Sequence, residues 1–499
     1  MILKSSSKSD ANEDVTKQLC AWVNQLSLSD IPDDVRTRAK YLILDGFGCA
    51  IVGAHLPWSE KAAEAIFQME SPGNCTVWGY DKVNVQLNTS VNCTLMENTE
   101  TWATPRSVVN STEIQAFELD DWHSLAPVHS NSILLPALLA VTSHQRANGA
   151  PPFDGAALLL STIVGYETGP RVGLCLHGSH MLTRGWHSGV VFGHAASAAA
   201  VSKVLGLHPH AIEDALGIAC TQACGLMSAQ FGSDVKRMQH GFAARNGLFA
   251  ALLAKSGYVG IKKVFEEPYG GFLATFGQGS GKEPPYLVDE LVKDLGRAWQ
   301  LESIRVKPHA SMAGTHCTID TVEALQKKHP AKLMNLADVV SIKIEMSEPA
   351  FKHGGWEAHR PLTATGAQMS CAYAAAVQLV DAQVSPKEFQ SHLLDRDTIW
   401  DLVGKTKCVH SPELGGKYEQ RVTIQFINGD NISETVDAPK GVNPPLSNEE
   451  ILAKFRKFTK GLIDDKRRTM IEKLVLDMEN LEDISVLDDL LASVQPLAN

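Results

Sequence analysis

The chain has 499 residues, 44% hydrophobic and 20% charged, and no window reaches the ~18 apolar residues that span a membrane. This length allows two or three domains at ~150 residues each, or one large domain with an insertion, and a core that needs no disulfide or metal staple. The net charge is −11 with no basic run, which argues against nucleic acid and anionic membrane as partners, so an anionic substrate must be held by a local group of cations.

The first eighteen residues carry early acids and no apolar stretch, which argues against a secretory or Arg-rich transit signal. The ten cysteines are scattered without a Cys-x-x-Cys pair or a zinc spacing, so a reduced, cytoplasmic protein is expected. Along the chain, Asp33 and Asp34 favour a helix N-terminus, and Val35, Ala39, Leu42 and Gly46 recur at helical spacing. Residues 92–110, NCTLMENTETWATPRSVVN, follow neither period and are expected to form a loop. The densest polar stretch comes next: FELDDWHSLAPVHS (117–130) holds Glu118, Asp120, Asp121, His123 and His129. Carboxylates beside imidazoles suit acid/base work. The same stretch could bind a metal, or be a helix C-terminus with solvated acids.

RGWHSGVVFGH (184–194) sets His187 between Gly185 and Gly189, where glycines let backbone approach a ligand; a core histidine at a helix start is the plainer alternative. Small residues such as those of 194–206 let helices approach closely, and Ile212, Ala215, Leu216 and Ala219 mark another helical face. In DVKRMQHGFAARNG (234–247), Lys236 and His240 lie four apart and share a helix face suited to a tricarboxylate. GQGSGKE (277–283) fails the phosphate-loop pattern, with Phe276 and Glu283 at positions that need Gly and Ser/Thr. In IRVKPHASMAGTH (304–316), Pro308 breaks an extended run and leaves Lys307 and His309 at a bend, a second candidate anion site. Val340–Met346 and 422–426 alternate as strands, and Asn428-Gly429 signals a hairpin. Tyr373 lies on an apolar helix, as a core tyrosine with one hydroxyl partner would. Ser447 and Glu450 form a capping box before renewed helix, and the last fifty residues read as two more amphipathic helices.

The expected fold is therefore mainly α. A large helical domain is built from both chain ends (15–299 and 441–499), with an inserted α+β lid at 300–440. No Gly-x-Ser-x-Gly, His-Glu-x-x-His or Gly-x-Gly-x-x-Gly is present, which weakens hydrolase, zinc-protease and dinucleotide readings. Acids, histidines and lysines without a cofactor motif suit proton transfer on a small polyanion.

ELDDWHSLAPVHS, RGWHSG, the long block 217–247, RVKPHASMAGTH and RPLTATGAQMS together resemble the MmgE/PrpD family, in particular its fungal branch, over about 15–495. The resemblance implies a helical domain with an α+β lid, a homodimer, and an active site between the two parts that uses no metal or organic cofactor. It also implies that Asp120 and Asp121 form the acidic pair and that His129 and His187 are the proton-transfer residues. Lys236 and Lys307 would hold carboxylates, and Tyr373 would be the lid tyrosine. With His240 and His309 added from the cationic faces above, these are the expected catalytic and substrate-binding residues. The chain departs from the fungal pattern at Trp122, Ser188 and the run 309–314, and 93–110 reads as an insertion. These departures tip the expected activity to dehydration of a 2-alkylcitrate in fungal secondary metabolism. Decarboxylation of cis-aconitate to itaconate is the alternative, and an inactive member acting as a binding or scaffold protein is the reading of another class.

Overall fold

The computed structural model describes residues 14–69, 75–80, 103–415 and 418–497. The first half is a packed set of helices: α1 (Val15–Gln25), α2 (Asp33–Gly53), α3 (Pro57–Met69), α4 (Ala103–Ile114), α5 (Ser130–Ala147), α6 (Gly155–Cys175), α7 (His180–Thr183), α8 (Ser188–Val204), α9 (Pro209–Cys220) and α10 (Val235–Lys255). Helices α4, α5, α6, α8 and α10 form the centre, and most of α5, α6 and α8 is buried. Close approach depends on small residues. A Cβ on Gly247 of α10 would lie 2.4 Å from the Ser197 side chain of α8, and one on Gly165 of α6 would lie 2.2 Å from Leu134 of α5.

Residues 103–110, expected as loop, are helical, and 106–110 are buried in α4. The helix escaped the periodicity reading because its buried residues are mostly polar, with Val108, Val109 and Ile114 among them. Arg106 donates to Asp488 at 2.6 Å, and the Asn110 side chain accepts from the Trp78 amide at 3.2 Å. The rest of that expected loop, 92–102, lies outside the described residues.

After α11 (Phe272–Gly277) the chain supplies most of its strands. Strand β1 (Asp121–His123), between α4 and α5, pairs antiparallel with β2 (Ile304–Val306). A second sheet contains β3 (Val339–Met346), β4 (Thr406–His410), β5 (Gln420–Phe426) and β6 (Asn431–Val436) in the order β4-β3-β5-β6. Only β3 and β4 run parallel. Val422, Ile424 and Phe426 point inward, as the alternation requires, and Gly429 turns the β5–β6 hairpin at φ +85°. Among the helices of this region are α12 (His316–Lys328), which packs on β5 and β6, α13 (Glu348–Gly354), α14 (Ala364–Met369), α15 (Cys371–Asp381) and α16 (Asp397–Gly404).

The chain ends in α17 (Asn448–Thr459), α18 (Asp465–Leu476) and α19 (Ser485–Leu491). The Ser447/Glu450 capping box starts α17, which packs on α2 and places Lys454 2.7 Å from Asp45. The architecture is mainly α with small sheets, and among the described residues no single helix is long and apolar enough to cross a membrane.

Candidate functional site

The acidic stretch is not a solvated face: Glu118, Asp120 and Asp121 are all buried. Glu118 adopts φ +53°, a left-handed backbone rarely taken by a non-glycine residue. The neighbouring carbonyls fix this turn. Phe117 accepts from the Gln368 side chain at 2.8 Å, and Leu119 accepts from Lys454 at 2.6 Å. The Glu118 carboxylate then collects cations from two distant segments. Its Oε1 accepts from Lys236 and Arg237, each at 2.7 Å, and its Oε2 accepts from Lys307 at 2.9 Å. Lys236 and Arg237 come from the first turn of α10. Lys307 follows β2, whose pairing sets Val306 opposite Asp121 and so brings Lys307 to Asp120, 3.2 Å away.

This network sorts its own charges. Burial would raise the Glu118 and Asp120 carboxyls, but the cations outweigh it and hold both below the usual carboxylate range: Lys236, Lys307 and Arg237 act on Glu118, and Lys307 and His129 act on Asp120. Lys307 faces two carboxylates, which outweigh its burial and raise its ammonium. Lys236 has Glu118 alone, and burial with the Arg237 charge lowers it, so it is the less firmly held of the two lysines. Arg237 is a structural cation: it also donates to Gln368 at 2.6 Å and lies over the Trp58 ring.

Asp120 also meets His129, Oδ2 to Nδ1 at 2.9 Å, just before α5. Three imidazoles then follow in a row, with His240 4.9 Å from His129 and 4.8 Å from His187 between ring centres. The Ser132 hydroxyl donates to the His129 carbonyl at 2.9 Å and therefore accepts from His240 Nδ1 at 3.1 Å, which leaves His240 Nε2 buried without a partner among the described residues. Burial, Lys236 and His129 hold His187 well below the usual imidazole range, and burial, His187 and His129 do the same to His240. Gly189 makes room for His240: a Cβ there would lie 3.0 Å from its Nε2. That glycine therefore admits a side chain as well as bordering the cavity.

A cavity of about 550 Å³ opens on this network, lined by Glu118, His129, His187, Lys236 and Lys307. Its wall also includes Leu182 and the separate methionine cluster Met227, Met312 and Met369. Trp122, Ser188 and Met312–Gly314, the departures noted in the sequence, all face it. His177 and His180 line it too, each with a ring nitrogen on a backbone carbonyl, of Pro284 and Ser280.

Five expected site residues lie off the cavity wall, and one of them, Asp120, stays in the network behind His129. Tyr373 is buried against Phe389 and Trp400, donates to the Leu394 carbonyl at 3.0 Å, and does not line the cavity. His309 has its Nε2 on Asp320 at 2.9 Å and its ring against His316, again off the cavity wall. Asp121 turns toward the start of α5, accepting from the Ser130 and Asn131 amides at 3.0 and 3.1 Å. Burial and the Asp120 charge raise its carboxyl well above the usual range. It anchors the helix that follows His129. His240 stands behind the two flanking histidines and contributes no atom to the cavity wall. The metal possibility for 117–130 has no geometric support: among the described residues no three His, Cys, Asp or Glu side chains converge on a metal-sized site. Sequence reasoning named Glu118 in its acidic cluster and Arg237 in the cationic block 234–247 without giving either its own role, and it missed Gln239 and Gln368. Arg237 and Gln239 lie inside the block 234–247, but nothing in their spacing separates them from their neighbours.

Residues 17–284 match the model of the MmgE/PrpD N-terminal domain, and residues 309–480 match that of the C-terminal domain. The chain is 48% identical over 480 residues to the cis-aconitate decarboxylase-like protein oryM of Aspergillus oryzae, covering 95% of this chain and 96% of that protein. It is 44% identical over 497 residues to a cis-aconitate decarboxylase of Aspergillus terreus, covering 98% of each. A cis-aconitate decarboxylase of Mus musculus is 26% identical over 96% of this chain and 93% of its own length. With both domain models matched in order and relatives aligned end to end, the chain belongs to the MmgE/PrpD family.

Proposed function

We propose that the protein is a lyase that decarboxylates a tricarboxylate of the cis-aconitate type. The observation that carries this reading is one cavity bordered by two buried lysines and by a histidine backed by an ionised aspartate. End-to-end similarity to proteins named as decarboxylases supports this choice over the dehydration expected from the sequence.

The chemistry defines what the site must supply. The carboxylate on the saturated carbon of cis-aconitate leaves as carbon dioxide. Its electron pair shifts through the double bond to the carbon beside another carboxylate, and one proton taken up there gives itaconate. A trianion and a proton become a dianion and carbon dioxide. The reaction needs cations at the carboxylate that shares the developing charge, and a single proton donor at that carbon. Lys307 is the fixed charge, and Lys236, with one carboxylate contact, has donors free for substrate. His129, with Asp120 behind its Nδ1, is the donor. The leaving group loses its charge, so an apolar wall favours the product over the bound carboxylate. In this reading residues 300–440 form the lid, contributing Lys307, Met312, Tyr418 and Gln420 to the cavity.

One observation favours a second reading, dehydration of a 2-alkylcitrate. The cavity falls in the ~300–1,000 Å³ range that houses drug-sized ligands, and its methionines suit an alkyl chain. There His187 would be the base and His129 the acid for the departing hydroxyl. The deciding experiment incubates purified protein separately with cis-aconitate, citrate and a 2-alkylcitrate, followed by proton NMR and carbon dioxide detection. Carbon dioxide with itaconate from cis-aconitate supports the first reading. Loss of water from the alkylcitrate without carbon dioxide supports the second, and turnover of none leaves the non-catalytic family member.

A further inference from the structure

Gln239 is buried and does not line the cavity. Its amide is oriented by a contact that only the NH2 group can make, since Nε2 donates to the Leu226 carbonyl at 3.1 Å. Oε1 therefore faces His187 and meets its Nδ1. A carbonyl oxygen only accepts, so Nδ1 carries the proton, and the lone pair of the neutral ring lies on Nε2. One stretch of backbone fixes both partners. Leu226 bridges to Trp186, the His187 amide donates to the Gly225 carbonyl at 3.1 Å, and the Met227 amide donates to Gly185 at 2.9 Å. Leu226, Gln239 and His187 are thus set as a unit. The other titratable and charged groups around the ring are His240, His129, Lys236 and Glu118. Only Glu118 among them favours an imidazolium, and it is already shared by three cations.

We propose that Gln239 is a positioning residue that fixes His187, kept neutral by its buried, cationic surroundings, as the Nδ1-protonated tautomer with Nε2 open to the cavity, so that the proton consumed in the reaction comes from His129. This inference rests on the reading of the site given above and deepens it by dividing the roles of the two histidines. An amide suits the task because its oxygen is an uncharged acceptor. A carboxylate in its place would favour the imidazolium and make His187 a second donor, and an apolar side chain would release the tautomer.

The test is nitrogen-15 histidine NMR of the full chain across pH 5.5–8.5, with His187 assigned by its loss in a His187→Gln variant, alongside pH profiles of kcat and KM for cis-aconitate. In the unsubstituted protein His187 is expected to stay neutral and Nδ1-protonated throughout. Gln239→Glu should raise its titration by about one unit or more. It should lower kcat about tenfold at the acid end, with recovery as pH rises and KM little changed. Gln239→Leu should give mixed tautomers and a lower kcat at every pH. An Nε2-protonated His187 in the unsubstituted protein would overturn the proposal, as would a His187 titration unmoved by Gln239→Glu. If no tricarboxylate is turned over, the functional reading fails while the NMR still decides the tautomer.

Discussion

Removing the charge at Glu118 by Glu118→Gln should both weaken the fold and strengthen anion binding. The carboxylate is 3% exposed, and its two oxygens accept from Lys236, Arg237 and Lys307 at 2.7–2.9 Å. With glutamine, Lys236 and Arg237 lose their paired carboxylate, Lys307 keeps only Asp120 among the described residues, and the new NH2 must face one of the cations. Breaking a buried ion pair from one side costs ~3–5 kcal/mol, and because the amide oxygen still accepts, the expected loss is about 3 kcal/mol. A bound tricarboxylate would return the missing negative charge. Even tenfold tighter binding adds about 1.4 kcal/mol of ligand-dependent stability at saturation. The assay is thermal unfolding with and without an unreactive tricarboxylate such as tricarballylate. The free variant should melt below the unsubstituted protein and gain more from the ligand. The pH dependence has a definite sign. Glu118 is held well below its ordinary value, so its contribution is complete above about pH 5 and is lost on acidification, and the gap between the two proteins should close as pH falls. An unchanged melting temperature, or a smaller ligand effect in the variant, would refute the argument.

Asp120→Asn should cut kcat by about 10²–10³-fold with a smaller change in KM, because His129 loses its ionised partner; steady-state kinetics on the active tricarboxylate measures this. Tyr373→Phe should leave kcat unchanged and cost about 1 kcal/mol in chemical unfolding, the worth of its bond to Leu394. Glu113 is buried on α4 with neither oxygen hydrogen-bonded among the described residues, and burial raises its carboxyl well above the usual range against the pull of Arg106. The folded chain therefore keeps a proton there that the unfolded chain releases, and stability falls as pH rises from the ordinary value toward the raised one. Glu113→Met should be more stable by about 1–3 kcal/mol at pH 8, with a smaller advantage at pH 5.

What the sequence revealed depended on whether the signal was local. The helix begun by Asp33 and Asp34, the alternation of Val422, Ile424 and Phe426, and the Ser447 box arise within a few residues and were all legible. Helix α4 was not, because what it buries is mostly polar and its partners, Trp78 and Asp488, lie far along the chain. The site divides in the same way. The chemical types in 117–130 and 234–247 stood out, but pattern cannot show that Glu118 gathers cations from both sides while Asp121 turns to cap α5. Tyr373 and His309 look eligible as residue types, and it is their partners, Leu394 and Asp320, that place them elsewhere. The methionine wall has no sequence signature at all, since Met227, Met312 and Met369 come from three unrelated segments.

The segment around Glu118 is tied at one end to Lys307 and at the other to Lys454, whose ammonium holds the Leu119 carbonyl 335 residues away. During synthesis those acids emerge long before their counter-charges. At ~5–20 residues per second, the wait from Glu118 to Lys307, 189 residues on, is roughly 9–38 s. Until then the nascent chain cannot bury Glu118 and Asp120 with their full set of counter-charges, so this strip must stay wet while the helices around it collapse. The acidic strip thus acts as a built-in delay that keeps the cavity from closing until Lys307 is made. Chains cut short before Lys307 should accumulate as helical intermediates that hold this strip open.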